Sequence, residues 1–252
     1  MAEDPIFVGV HIGSSERLFT LASLDRRRSS INIIKGTSDE ILAYLDRQGQ
    51  IILGFDAPTQ PNQGLMALPG VRKGLYPAPV PGRWTNMRQV DYELRQMGVR
   101  VHRTPAEAEK GPSWMRQGFR FIAACEKLGY IRHAGGDAPR QYLEVNAEAS
   151  FRIWLNKETF AYGSLEGRLQ RQFILEDQGL PVPDGMIFFE EVTRYKLMAG
   201  KLPLENVMEP GELFALAAAQ VAWLAVQQPE KVRRIGEKIE GEVYLPVWNL
   251  RS

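Results

Sequence analysis

Two acidic residues occupy positions where carboxylates commonly take part in chemistry. Asp56 ends the most apolar predicted strand of the chain, and Glu144 lies inside another predicted strand. Carboxylates at strand ends in a mixed sheet commonly bind a metal ion or act as an acid or base. The structural alternative is that Asp56 caps the turn leading to Pro58 and that Glu144 pairs with an arginine.

His11 ends the first predicted strand and is a third candidate. Gly9 shares its face of the strand, just as Gly54 shares the face of Asp56, and a glycine leaves room for another backbone to approach. We expect the last long helix, which carries four alanines between positions 215 and 219, to cross the sheet there. A lone histidine is more often a structural residue than a ligand, so both roles stay open for His11.

The elements that position these residues follow from the hydrophobic pattern. Three β-rich runs joined by short turns predict an antiparallel meander, because parallel strands need long crossovers. Ser38 can cap a following helix, and the nearly all-apolar strand that ends at Asp56 is typical of the parallel part of a sheet. The predicted strands are 6–12, 17–24, 30–35, 50–56, 99–102, 142–146 and 240–247. The predicted helices are 38–49, 87–97, 113–128, 164–178, 187–199 and 211–226.

Composition narrows the class of protein. The 252 residues, 44% hydrophobic and 24% charged, are typical of a globular protein, and the pattern predicts an α/β fold. We expect one domain over residues 1–252 with a long basic insertion at about 58–130. A single cysteine, Cys125, and no long apolar run predict a cytoplasmic protein without a membrane partner. A formal charge of +1 gives no global attraction to nucleic acid.

Charge is nevertheless segregated along the chain. Between residues 72 and 120 there are ten basic and four acidic side chains, an excess of six positive charges. Tyr76, Trp84 and Trp114 are interleaved with them. Basic side chains neutralise phosphates and aromatic rings stack on unpaired bases, so DNA or RNA is a candidate partner. A solvated helix face is the alternative explanation of such a count.

A series of short motifs runs along nearly the whole chain. They are Val8–His11, Gly54–Pro58, Met87–Arg95, Tyr142–Asn146, Leu165–Arg168, Glu212–Ala218, Glu240–Gly241 and Leu245–Pro246. In this order and spacing the chain resembles the ribonuclease H-like fold. More specifically, it is similar to the predicted nuclease family called domain of unknown function 429. The resemblance implies a mixed sheet of a three-strand antiparallel meander plus parallel strands, flanked by helices and with helical additions.

The resemblance also implies an active site of four acids around divalent metal. Asp56 and Glu144 match two of them, whereas His11 and Phe214 stand where the other two are expected. Two-metal cleavage needs several anionic oxygens, so we expect it to be impaired. Glu212 cannot replace the acid missing at Phe214, because two residues turn about 200° around a helix.

Three functions remain open. The chain is a catalytically impaired component that binds nucleic acid or a protein, an active metal-dependent nuclease or phosphoesterase with a rearranged site, or a structural interaction subunit. The second would use His11, Asp56 and Glu144 to hold one divalent ion, with Mn²⁺ or Mg²⁺ as the expected cofactor, although such a set also suits Zn²⁺ or Fe²⁺. For the first, the candidate nucleic-acid contacts are Arg83, Trp84, Arg88, Arg95, Lys157 and Arg168.

Overall fold

A computed structural model of the protein describes residues 4–13 and 19–247, and strands from these residues form one mixed sheet. The strands are β1 (Ile6–Ile12), β2 (Phe19–Leu24), β3 (Ile31–Gly36), β4 (Ile51–Asp56), β5 (Ile131–Arg132), β6 (Arg140–Val145), β7 (Val232–Glu237) and β8 (Gly241–Pro246). Their order across the sheet is β3-β2-β1-β4-β6-β8-β7, and β5 pairs with β6. The first three strands are antiparallel, whereas β4, β6 and β8 run parallel to β1. The predicted α/β class is therefore confirmed, and the arrangement is consistent with a ribonuclease H-like fold.

Helices flank both faces of this sheet. They are α1 (Ser38–Asp46), α2 (Pro69–Lys73), α3 (Gln89–Gln96), α4 (Ser113–Lys127), α5 (Ala147–Leu155), α6 (Leu165–Asp177), α7 (Ile187–Glu191), α8 (Arg194–Met198) and α9 (Pro210–Gln227). On one face α9 lies against β1, β2 and β4, and α5 and α6 pack against α9. On the other face α1 and α4 bury an aliphatic and aromatic cluster against the strands. The sheet is thus the middle layer of three.

Helix α9 crosses the sheet at the glycines that precede the candidate histidine and aspartate. A Cβ atom on Gly9 would lie 1.9 Å from the carbonyl oxygen of Ala215, and one on Gly54 would lie 2.3 Å from that of Ala218. Any side chain at either position would collide with the helix backbone. The close approach predicted from the glycine and alanine pattern is confirmed, and it brings α9 beside the candidate site.

Two element predictions were wrong in the middle of the chain. Residues 99–102 form no strand, because the turn that ends α3 extends to Val99, whose N–H donates to the carbonyl of Leu94. The helix predicted at 187–199 is interrupted between α7 and α8. Thr193 takes an extended conformation there, and its side chain caps α8 by accepting a hydrogen bond from Lys196.

Other elements differ at their ends or were not predicted. Thr37, rather than Ser38, is the N-cap of α1, and it forms a capping box with Glu40. The strands β5 and β7 and the helices α2 and α5 were not predicted. Arg17, the first residue of the predicted second strand, lies outside the described residues.

Candidate functional site

His11 and Asp56 meet at the ends of two neighbouring parallel strands. The register of β1 and β4 places the two residues opposite each other, and Nδ1 of His11 lies 2.7 Å from Oδ2 of Asp56. The other oxygen, Oδ1, accepts a hydrogen bond of 2.8 Å from the backbone N–H of Ala147, the first residue of α5. Because an ionised carboxylate only accepts hydrogen bonds, Nδ1 carries the hydrogen of the first bond. Asp56 therefore joins β1, β4 and the start of α5.

Phe214 lies beside this pair, where the resemblance implies an acid. Its ring centroid is 5.0 Å from that of His11 in an edge-on arrangement, and the side chain is buried. The rings of Phe151 and Tyr162 contact it from other sides. Phe214 thus connects an aromatic cluster to the pair, of which 19% (His11) and 13% (Asp56) of the side-chain surface stays exposed.

Glu212 is directed away from His11 and Asp56, as the helical geometry predicts. One of its carboxylate oxygens lies 2.9 Å from Nζ of Lys35, and the other accepts a hydrogen bond from the backbone N–H of Glu209. Lys35 also binds the side chain of Glu209. Burial opposes the charge of Lys35, but its bonds to the two glutamates raise the pKa of its amine overall. Glu212 therefore neutralises a lysine and caps α9.

Glu144 belongs to the opposite face of the sheet. The register of β4 and β6 pairs it with Phe55, so its side chain and that of Asp56 project from opposite faces. Its carboxylate binds Arg88 and Thr59 instead, which is the structural alternative considered for it above. As placed here, His11, Asp56 and Glu144 do not form one ligand set. In residues 4–13 and 19–247, no group of three or more His, Cys, Asp or Glu side chains is arranged to hold a metal ion.

Arg88 is the centre of a buried polar network that locks the basic insertion onto the sheet. Its guanidinium binds both oxygens of Glu144, at 2.7 and 3.1 Å, and Oδ1 of Asp91 at 2.9 Å. Its Nη1 also donates to the backbone carbonyl of Glu240, while Thr59 donates twice to Glu144. Burial alone would lower the pKa of Arg88, but the carboxylates of Glu144 and Asp91 raise it overall. Every strong donor and acceptor here has a partner, as a buried ion pair requires.

Glu240 extends the network and was not identified as a polar anchor from the sequence. Its carboxylate is fully buried and accepts hydrogen bonds from the backbone N–H groups of Gln63, Leu65 and Gln89. It therefore holds the loop after β4 and the start of α3 together. The glycine that follows it in the sequence, Gly241, was the available signal of a tight turn, and its φ is +102°.

A surface cleft lies next to this network, beside α3. It is an open depression of about 710 Å³, lined in part by Trp84, Arg95, Arg100, His102 and Arg103. The segment after α3 is irregular, and residues 98–103 of it line the cleft. A concave surface with an aromatic ring and several cations is suited to a ligand that is both planar and anionic.

Ion pairing leaves several arginines at or beside this cleft without a carboxylate partner among the described residues. Asp91 forms an ion pair with buried Arg88. Glu107 pairs with Lys110, and Glu109 pairs with Arg120. Arg83, Arg95, Arg100 and Arg103 are exposed, and none of them forms an ion pair with a described residue. Arg95, Arg100 and Arg103 line the cleft. Arg72, Lys73 and Arg116 also form no ion pair with a described residue, and they lie elsewhere in the insertion.

Four of the six predicted nucleic-acid contacts are open to a ligand, and three of these four lie together. Arg83, Trp84 and Arg95 lie together, with the two guanidinium carbons 5.3 and 5.2 Å from the centre of the Trp84 ring. Lys157 is exposed just after α5 but does not line the cleft.

Two predicted contacts are corrected by the structure. The Arg88 side chain is only 1% exposed and is saturated by carboxylates, so it is unable to reach a phosphate. Arg168 donates to the carbonyls of Val207 and Met208 at 2.7 and 2.8 Å, which ties α6 to the segment before α9. Arg88 is therefore structural, whereas Arg168 is half-buried and has a structural role through these two bonds.

Three cleft residues were missed as site residues, namely Arg100, His102 and Arg103. They were counted in the basic segment but not assigned to a site, because the predicted strand over 99–102 hid their common surface. His102 also packs edge-on against Trp114, with ring centres 5.7 Å apart. An irregular, cation-rich run directly after an amphipathic helix was the available signal.

Cys125 supplies no nucleophile to the His11–Asp56 pair or to the cleft beside α3. The thiol is buried in the cluster between α4 and the sheet, and burial raises its pKa to about 12. A thiol that stays protonated at neutral pH does not attack a substrate.

In comparisons with known proteins, no family model, curated protein or solved structure matches the chain. In the part of the chain that the structure describes, no helix has the length and apolar character needed to span a membrane.

Proposed function

We propose that the chain is a ribonuclease H-like protein, of the predicted-nuclease kind that its motifs resemble, which binds nucleic acid and does not cleave it. The observation that carries the proposal is the cleft that Arg95, Arg100 and Arg103 line together with Trp84, without carboxylate partners among the described residues. Unpaired guanidinium groups on a concave surface attract a polyanion, and their attraction grows as counterions are released from it.

The contacts made by the residues at the sheet edge support the absence of cleavage. Asp56 uses both oxygens on protein donors, Glu144 neutralises a buried arginine, and Phe214 places an aromatic ring beside His11. A two-metal centre needs free anionic oxygens that converge on one point. The residues present here hold the fold together instead, so binding remains the better supported role.

Replacing Arg95, Arg100 and Arg103 together by alanine should weaken binding and reduce its salt dependence. If each contacts one phosphate of a single strand, the slope of log K against log salt concentration should fall by about 2. Fluorescence anisotropy with labelled single strands of DNA and RNA, at several salt concentrations, measures this slope.

The matched control is the triple variant Arg47→Ala, Arg194→Ala and Lys201→Ala, which removes the same charge from exposed positions outside the cleft. Equal losses of affinity in both triple variants would mean that only net charge matters, and the cleft would then have no special role. No binding by the wild type at low salt would contradict the proposal.

That result would favour the alternative of a structural interaction subunit, for which exposed Phe189, Tyr195 and Met198 on α7 and α8 offer apolar contacts.

The metal-dependent alternative has one observation in its favour, because His11 and Asp56 sit, still partly exposed, at the carboxyl ends of parallel strands. We expect the wild type and Asp56→Asn to show the same background cleavage of single- and double-stranded substrates with Mn²⁺ or Mg²⁺. Cleavage by the wild type that disappears in Asp56→Asn would establish an active site instead. Cleavage that appears only in the double variant His11→Asp and Phe214→Asp would show that this edge of the sheet is an active site that has lost two of its acids.

A further inference from the structure

Trp84 has an unusual backbone conformation for its size. Its φ is +65°, in the left-handed region that favours glycine and that a bulky side chain rarely adopts. Gly82, two residues earlier, has a φ of +75°, which a glycine adopts without strain. The chain thus holds a tryptophan in a strained conformation at a position where a smaller residue would be relaxed.

Burial does not explain this strain. Trp84 belongs to none of the apolar clusters formed by the described residues, and its ring lies at the wall of the cleft. Its recorded partners are the guanidinium groups of Arg83 and Arg95. Strained residues persist where the surrounding structure imposes them, and they concentrate at binding and catalytic sites.

The two arginines beside Trp84 differ in how firmly they are held. Arg95 is anchored, because its Nη2 donates a hydrogen bond of 3.1 Å to the carbonyl of Val101. Arg83 is exposed, and its contact with the Trp84 ring is the one interaction recorded for its side chain with a described residue. A planar ligand can therefore displace the guanidinium of Arg83 from the ring while Arg95 stays in place.

We infer that Trp84 is a stacking platform for an unpaired nucleobase, so that the cleft selects single-stranded over double-stranded nucleic acid. The inference rests on the proposed function and specifies its ligand. One base lies against the indole ring, and the phosphates next to it bind Arg100 and Arg103 on the same wall. In a duplex the faces of the bases are covered by their neighbours, so only the phosphate contacts remain.

The test uses Trp84→Asn and Trp84→Phe in the full chain. Asparagine adopts the left-handed conformation more readily than tryptophan and removes the ring, whereas phenylalanine keeps a flat ring in the same place. The probes are labelled oligothymidylate and oligouridylate of about 20 nucleotides, which exceeds the usual single-strand site, and a DNA duplex of the same length. Tyr195→Asn is the matched control, because Tyr195 is an aromatic residue that is 79% exposed on α8, outside the cleft.

We expect Trp84→Asn to bind the single strands about tenfold more weakly or worse, while its affinity for the duplex changes less than twofold. Its melting temperature should stay within about 3 °C of the wild type, because the lost contacts are offset by the relief of strain. Trp84→Phe should keep most of the affinity, and Tyr195→Asn all of it. A preference for oligouridylate over oligothymidylate, or the reverse, would identify the type of strand.

Three results would overturn the inference. A fall in melting temperature with unchanged binding would make Trp84 a structural residue. Equal losses for single strands and duplex would mean that the ring positions the arginines and does not contact a base, and the proposed function would survive. No binding of any probe by the wild type would remove the proposed function and this inference together.

Discussion

Arg88→Met is expected to lower the free energy of unfolding by about 3–5 kcal/mol, as breaking a buried ion pair commonly does. Methionine has nearly the length of the arginine stem but leaves the carboxylates of Glu144 and Asp91 buried without their cation. It also removes the donor that binds the carbonyl of Glu240. Urea denaturation followed by circular dichroism measures the change.

Arg95→Met is the matched control, because Arg95 lies in the last turn of α3 and is exposed. We expect it to cost less than about 1 kcal/mol of stability, as exposed interactions usually do, but to weaken nucleic-acid binding. Adding Glu144→Gln and Asp91→Asn to Arg88→Met should recover part of the lost stability, because the uncompensated charges are removed. An Arg88→Met protein that is fully stable but binds nucleic acid poorly would show that Arg88 is a contact residue after all.

Gly9→Ala should be the most damaging single-atom addition at the interface of the sheet and α9. The new Cβ would lie 1.9 Å from the carbonyl oxygen of Ala215 and 2.4 Å from the amide nitrogen of Ala219. Both are backbone atoms, so no side chain can rotate away, and α9 must move as a whole. We expect a loss of about 3 kcal/mol or more, at the upper end for overpacked cores, measured by thermal and urea unfolding.

Gly163→Ala is the control for this variant, because nothing lies within 4 Å of its new Cβ atom and its φ is not positive. We expect it to change the stability by less than about 0.5 kcal/mol. If Gly9→Ala were equally harmless, the helix could not lie as close to β1 as the structure places it. The position of Phe214 beside His11 would then also need revision, since the same helix carries it.

Much of the fold followed from local pattern. The strands of the meander and the buried strand at 51–56 were predicted within a residue or two over their described residues, and the crossover helix within three, since apolar period and turn residues act over short stretches of chain. The prediction that α9 crosses at Gly9 and Gly54 also succeeded, because a glycine on a buried face and an alanine-rich helix each permit only a close approach. The weak points were short elements such as β5 and β7, whose strand conformation depends on a neighbour in the sheet.

The candidate site was harder to predict, because it depends on the face of the sheet from which each charged side chain projects and on the residue with which it pairs. The alternation of a strand places Glu144 on one of two faces, but the register with β4 is needed to show that this face is not that of Asp56. A shift of one residue would have placed both carboxylates together. The hypothesis of one shared metal set therefore needed information that no local pattern contains.

The sequence thus predicted an α/β protein with a sheet crossed by a helix at two glycines and a segment rich in basic residues. The folded chain alone revealed which of those basic side chains are available to a ligand. Arg88 just before α3 is buried between carboxylates, whereas Arg95 at the end of the same helix faces the cleft. Backbone conformation follows largely from neighbours in sequence, but ion pairing depends on distances of a few ångströms between segments far apart in the chain.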